Sequence, residues 1–199
     1  MELQRALSDL EEVRERLARV QRFEGYSAPA SAASGIAALV AGAVQFRLAP
    51  VPRSSDELHL YLAIWLTCLA AGLLLNYGAV AAWLLKHHSP HSRGQFRTAA
   101  RSIAPSVLLG GALTLALVNH GAFALLPGMW FALYAAGLFA SRGAIPAPVL
   151  GVACGFAVLG VAFLATALDA SALAWWVMPL GFGVGQLAIG YFIWQGRTS

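Results

Sequence analysis

Apolar residues in this chain come in long unbroken blocks separated by short clusters of charge. Between Glu24 and Lys86 the only charged residues are Arg47, Arg53, Asp56 and Glu57, and the 40 residues from Ser102 to Ser141 carry no charge at all. One helix needs about 20 apolar residues to cross a bilayer core, so the longest block is long enough for two crossings. Asn119, His120 and Gly121 divide it near its midpoint, and Pro127 suits the first turn of a returning helix. The other four blocks, 25–46, 58–85, 143–168 and 170–196, each supply one helix. The pattern predicts spans over about 28–46, 60–85, 104–120, 126–141, 147–168 and 172–194. The expected architecture is all-α: a polytopic membrane bundle of six transmembrane helices, preceded by an amphipathic, coiled-coil-like helix over residues 1–25.

Composition agrees with lipid as the main solvent. The 199 residues are 59% hydrophobic and 11% charged, with a mean hydropathy of +0.68, whereas a soluble domain is roughly a quarter charged. The formal charge of +4 does not point to nucleic acid, because the basic residues flank apolar blocks instead of forming a basic reading face. With the N-terminus inside, eleven Lys and Arg fall on the inner side and only Arg47 and Arg53 on the outer. That asymmetry predicts both termini in the cytoplasm and an even number of spans. Asp56, Glu57 and Asp169 then face outward, and Ser54 and Glu57 have the spacing of a capping box opening the second span. The first residues are rich in Glu and Arg and lack an apolar signal core, so they are expected to be retained.

Helices in a bilayer associate where small residues let backbones approach. Gly151 with Gly155 and Gly181 with Gly185 form GxxxG pairs, and Ala33, Ala37 and Ala41 form a small stripe in the first span; packing within the bundle is the favoured reading of each. Trp130, Trp175, Trp176 and Trp194 stand near span ends, as an interfacial belt requires. Ala37, Ala41, Gly42 and Arg47 recur at equal spacing as Ala132, Ala136, Gly137 and Arg142. An inverted three-plus-three repeat is one account of this; chance recurrence in an Ala-rich chain is the other and the favoured one. Cys68 and Cys154 sit inside apolar blocks, where a thiol is a small hydrophobe, and a disulfide between neighbouring helices stays an open alternative.

Leu3, Ala6, Leu10, Val13, Leu17 and Val20 alternate by three and four, the a/d seam of three heptads. Asp9 and Arg14 occupy g and e positions able to pair across a parallel dimer. Three heptads are marginal alone, but tethering two copies to one membrane raises their effective concentration. The seam therefore predicts a homo-oligomer, a dimer favoured, or a cytoplasmic protein partner using residues 1–25. A helix lying in the headgroup layer or folded on its own bundle competes with that reading.

Three sets of polar residues are candidate sites. His87, His88 and His91 crowd one loop, but no Cys, Asp or Glu stands nearby in sequence to complete a zinc site; a polar interfacial loop is expected. Arg93, Arg97 and Arg101 recur every fourth residue, which predicts an elbow helix on the inner surface meeting anionic lipid headgroups. His59, His120 and Asp169 come from the three outer connections, with Glu57 beside His59. They form a metal or proton-sensing cluster if they converge and solvated ends if they do not, the second being expected. Haem ligation by His59 and His120 lacks a partner pattern.

No Asp, Glu, Lys or Arg lies in the expected hydrocarbon region, which lowers the case for a carboxylate-driven transporter. Gln45, Asn76 and Gln186 remain as interhelical hydrogen-bonding groups or, alternatively, pore-lining ones. No triad order, paired carboxylates, phosphate-binding loop or HExxH occurs, so no catalysis and no cofactor are expected.

Glu24-Gly25-Tyr26 before the first span, Leu126-Pro127-Gly128-Met129-Trp130 at the fourth and Gly183-Val184-Gly185-Gln186-Leu187 in the sixth resemble a group of small bacterial six-span inner-membrane proteins with no assigned activity. The resemblance implies a bacterial inner membrane and carries over no catalytic residue. The function expected is a self-associating interaction or sensory component without catalysis, and the alternative is a small-solute or ion pathway through the bundle or its oligomer.

Overall fold

The computed structural model describes residues 26–86, 90–166 and 169–198, and all the regular structure among them is helical. Six α-helices follow in order: α1 (Ala28–Leu48), α2 (Ser55–Lys86), α3 (Pro90–Asn119), α4 (Leu126–Ala140), α5 (Ala147–Thr166) and α6 (Val184–Thr198). Phe123–Leu125 and Ala170–Leu173 are 3-10 turns, and a π-helical turn, Pro179–Gly183, runs directly into α6. Four segments are long and apolar enough to cross a membrane: α1, Ser55–Trp83 of α2, Phe123–Ala140 and α5. In α3 the apolar portion is Ile103–Asn119, and the last helical stretch is divided by its π turn.

The distribution of side chains is inside-out relative to a soluble protein. Ile36, Val40, Leu74, Leu108, Leu115, Val158 and Val161 are all more than half exposed, while Ser31, Ser34, Gln45, Thr114 and Ser141 are buried. In water such a surface would be the extended apolar patch that soluble monomers avoid. Lipid tails match it, which agrees with four segments long and apolar enough to cross a membrane.

Local chemistry explains the helix boundaries. The Ser27 hydroxyl caps α1 by accepting from the Ala30 N–H at 3.3 Å, with Pro29 in the first turn where its missing donor is harmless. Ser27→Ala is expected to lower unfolding free energy by about 1 kcal/mol, measured by denaturing-detergent titration in mixed micelles. At α2 the capping box closes both ways: the Glu57 N–H donates to Ser54 Oγ at 3.2 Å, and the Ser54 and Arg53 N–H groups donate to Glu57 Oε2 at 3.1 and 2.8 Å. The division of the long block falls where the sequence places it. α3 stops at Asn119, Gly121 takes φ +69° in the turn, and Pro127 lies in the first turn of α4.

Glycines fix the helix crossings. At Gly160 an added Cβ would stand 2.7 Å from the Ala132 backbone N, and at Gly128 it would stand 2.8 Å from the Leu164 N, so α4 and α5 touch backbone to backbone. Gly35 meets Gly183 and Leu187, and Gly190 meets Ala28 and Ala32, which lays the π turn and α6 along α1. α1 also packs on α2, α4 on α3, and α5 on α6. The loop holding Arg142 lies at one end, with Tyr26 and Gly196 near it; Asp169 lies at the other, where the Trp175 N–H donates to the Pro50 carbonyl at 2.9 Å.

Several expectations change. Arg93, Arg97 and Arg101 are not on a separate elbow but on the first turns of α3 itself, which continues through Pro105 into the apolar part. Gly151 and Gly155 are exposed, and a Cβ at either would meet nothing within 4 Å, so this GxxxG pair does not pack inside the bundle. Gly181 and Gly185 do, against the rings of Phe131 and Phe156. In α1 the buried face is Ser31, Ser34, Gly35, Ala38, Gly42 and Gln45, while Ala33, Ala37 and Ala41 are half-buried at its flank. The last helical stretch starts at 177 and not near 172, because residues 174–176 turn the chain after the 3-10 segment. The seam Leu3, Ala6, Leu10, Val13, Leu17 and Val20 lies outside the described residues, as do His87 and His88.

Candidate functional site

Four sets of side-chain hydrogen bonds inside the bundle join different elements where small residues bring helices together. Gln45 on α1 is fully buried; its Oε1 accepts from the Trp65 indole N–H of α2 at 2.8 Å, and its Nε2 donates to the Leu173 carbonyl at 2.7 Å. One side chain thereby ties α1, α2 and the 3-10 turn near the Asp169 end. Closer to the middle, Asn76 Nδ2 donates to Ser34 Oγ at 2.8 Å and to the Gly72 carbonyl at 2.9 Å, and the Ser34 hydroxyl donates in turn to the Ala30 carbonyl at 2.9 Å. Gln186 Nε2 donates to the Tyr134 hydroxyl at 2.6 Å, joining α6 to α4. The Trp130 indole N–H donates to Thr114 Oγ1 at 2.8 Å, joining α4 to α3.

The sequence singled out Gln45, Asn76 and Gln186; all three bond across helix contacts. Their partners Trp65, Ser34 and Tyr134 went unremarked, since serine and the amphipathic aromatics fit a lipid-facing surface as readily as an interface. The available signal was spacing: Ser34, Ala38 and Gln45 fall on one helical face together with Gly35 and Gly42.

Aromatic rings fill the space beside these bonds. Phe131 is buried, with its ring centroid 5.2 to 6.0 Å from those of Phe182, Phe156 and Phe163, and Tyr134 lies edge-on to Phe156 and Phe182 at 4.8 and 5.3 Å. Gly181 and Gly185 admit the rings of Phe131 and Phe156 against α6 and its π turn. Near the Asp169 end the Tyr61 ring is buried parallel to Trp130, and its hydroxyl has no hydrogen-bond partner among the described residues.

The polar residues outside the spans are held locally. Asp169 caps the 3-10 turn by accepting from the Ser171 N–H at 2.8 Å, and bonds from the Ser171 side chain and backbone hold its carboxyl below the usual carboxylate range. The His59 Nδ1 lies 2.7 Å from the Ser55 carbonyl, a bond in which the ring N–H donates. Glu57 is taken up by its capping box, and His120 is exposed in the turn after α3. Among the described residues no three His, Cys, Asp or Glu side chains gather to hold a metal ion. Arg101 is exposed on α3.

Set against protein-family models, curated proteins and solved structures, the chain matches none.

Proposed function

We propose that this chain is a six-span, multi-pass protein of the bacterial inner membrane, with both termini in the cytoplasm, that self-associates and works without catalysis as an interaction or sensory component. The basic residues of one side support the orientation. The observation that carries the role is the commitment of the interior polar groups. Gln45, Asn76 and Gln186 are each engaged by a neighbouring element, an arrangement suited to holding helices in register. Gly151 and Gly155, turned outward into open space, offer a second copy the close approach that the bundle does not use, alongside the N-terminal seam.

Native mass measurement in detergent tests the assembly. The wild-type chain is expected as a dimer. Leu10→Asp with Leu17→Asp, or Gly151→Ile with Gly155→Ile, is expected to weaken dimerisation about tenfold, equivalent to about 1.4 kcal/mol. A monomeric wild type would remove self-association, and an unchanged dimer in both variants would remove these two surfaces from it. A reporter fused after Ser199 is expected on the cytoplasmic side.

A small-solute or ion pathway is the second reading. It is favoured by the neutral pairs Asn76–Ser34 and Gln186–Tyr134, which place hydrogen-bonding groups between spans. Solute flux in liposomes that falls on Asn76→Leu and Gln186→Leu would support it over the first.

A further inference from the structure

The packing contacts of the first three helices recur, upside down, in the last three. Exchange α1 with α4, α2 with α5 and α3 with α6: the α1–α2 interface becomes α4–α5, and the α1–α6 interface becomes α4–α3, and both members of each pair are present. The correspondence extends to single residues. Gly42 is the point where α1 meets Pro179, and Gly137, its counterpart in the Ala-Gly-Arg repeat, is the point where α4 meets Ser106, next to Pro105. Aligning Pro105 on Pro179 places Gly111 on Gly185 and Leu113 on Leu187. Gly35 packs on Leu187 in one half; in the other its counterpart Trp130 bonds to Thr114, one residue from the counterpart of Leu187. Likewise Ser34 meets Gly72 between α1 and α2, and Gly128, one residue from the counterpart of Ser34, meets Gly160 between α4 and α5. α1 and α4 run in opposite directions through the bundle, so the relation is an inversion. Matched contacts support the inverted repeat over chance recurrence of alanines.

The symmetry fails at one interface. α5 packs on α6, with the Phe156 ring against Gly185, but the described residues of α2 and α3 form no comparable interface. Gly111, the counterpart of Gly185, is exposed and faces nothing within 4 Å, and Leu108, Leu109, Leu74 and Leu75 are exposed on the same two helices. Near the Asp169 end Leu62, Leu117 and Val118 still gather around Leu126 and Met129.

We propose that the chain is an inverted duplication whose halves exchange roles: this conformer, with α5 closed on α6 and α2 standing off α3, alternates with one in which α2 closes on α3 and α5 leaves α6. Two halves with one packing plan have nearly equal reasons to adopt either arrangement, and rocking of helices about retained glycine crossings converts one into the other. Alternation serves the sensory and the solute readings alike and depends on neither.

Disulfide trapping tests it. Counting α2 against α5 from Gly72 and Gly160 puts Cys68 at the place of Phe156, so the native Cys68 and a Gly111→Cys thiol meet only in the alternate conformer. Disulfide partners have Cβ atoms about 3.8 Å apart, which the open space around Gly111 does not provide here. In a Cys154→Ser background, in liposomes, mild oxidation is expected to join residues 68 and 111 within one chain in most molecules. Thiols that stay reactive to maleimide, while a Ser34→Cys/Gly72→Cys control lacking Cys68 and Cys154 does oxidise, would overturn the proposal. So would bonds found only between chains. Adding Phe156→Cys and Gly185→Cys supplies the reciprocal pair: one disulfide per chain is expected, at either place, and two per chain would show that both interfaces close at once and overturn the alternation.

Discussion

Gly160→Val is expected to leave little folded protein in the membrane. Its Cβ would stand 2.7 Å from the Ala132 N, 2.9 Å from its Cα and 3.0 Å from its Cβ, and these are backbone or backbone-fixed atoms with no rotamer to change. The helices must separate, and Gly128, pressed on the Leu164 N and Gly160 carbonyl across the same crossing, loses its contact with them. Overpacking commonly costs 1–3 kcal/mol; a crossing in which both faces are backbone is expected at the top of that range, about 3 kcal/mol. The comparison is Gly155→Val, on the same helix with open space around it, which is expected to leave monomer stability within about 0.5 kcal/mol. Denaturing-detergent titration of both variants decides the matter, and equal losses would mean that the α4–α5 crossing is looser than described.

Gln45→Leu is the second large effect. The amide satisfies two groups at once, so its loss strands the Trp65 indole N–H and the Leu173 carbonyl in a buried place. An unpaired buried group costs about 1–3 kcal/mol, whereas hydrogen bonds within membranes average about 0.6 kcal/mol because the unfolded helices also find partners. The expected destabilisation is about 2 kcal/mol. Trp65→Phe added to Gln45→Leu should cost less than the two single changes together, since the second removes the donor that the first left unpaired. Strict additivity would show that the two side chains act independently.

Much of this arrangement could be read from the chain. The charge-free blocks located the helices, Gly121 and Pro127 located the hairpin, and Ser54 with Glu57 marked the start of α2 within a residue. What escaped was the direction of each face. In water, hydrophobic periodicity points inward; here α1 buries serine, glycine and glutamine and exposes leucine and valine, so the usual signal is nearly flat. The two GxxxG motifs look alike in sequence, yet one receives aromatic rings and the other faces outward, because only the tertiary arrangement decides which flank of α5 meets α6. The polar partners were hidden for a related reason: a hydroxyl or indole declares an interface only when its acceptor is known.

Unequal helix lengths carry a consequence for the surrounding lipid. Ser55–Trp83 is a helix of 29 residues whose charge-free part, from Leu58, runs about 39 Å at 1.5 Å per residue, against 18 residues, about 27 Å, for Phe123–Ala140. A hydrocarbon layer of about 30 Å suits the second and not the first, an excess that tilt, a kink or local thickening of the bilayer would accommodate. Acyl chains along that helix would take up whatever excess its tilt leaves, and those beside Phe123–Ala140 would have none to take up. Membrane thickness, varied through acyl-chain length, thus becomes a mechanical input that presses on one helix more than on its neighbours.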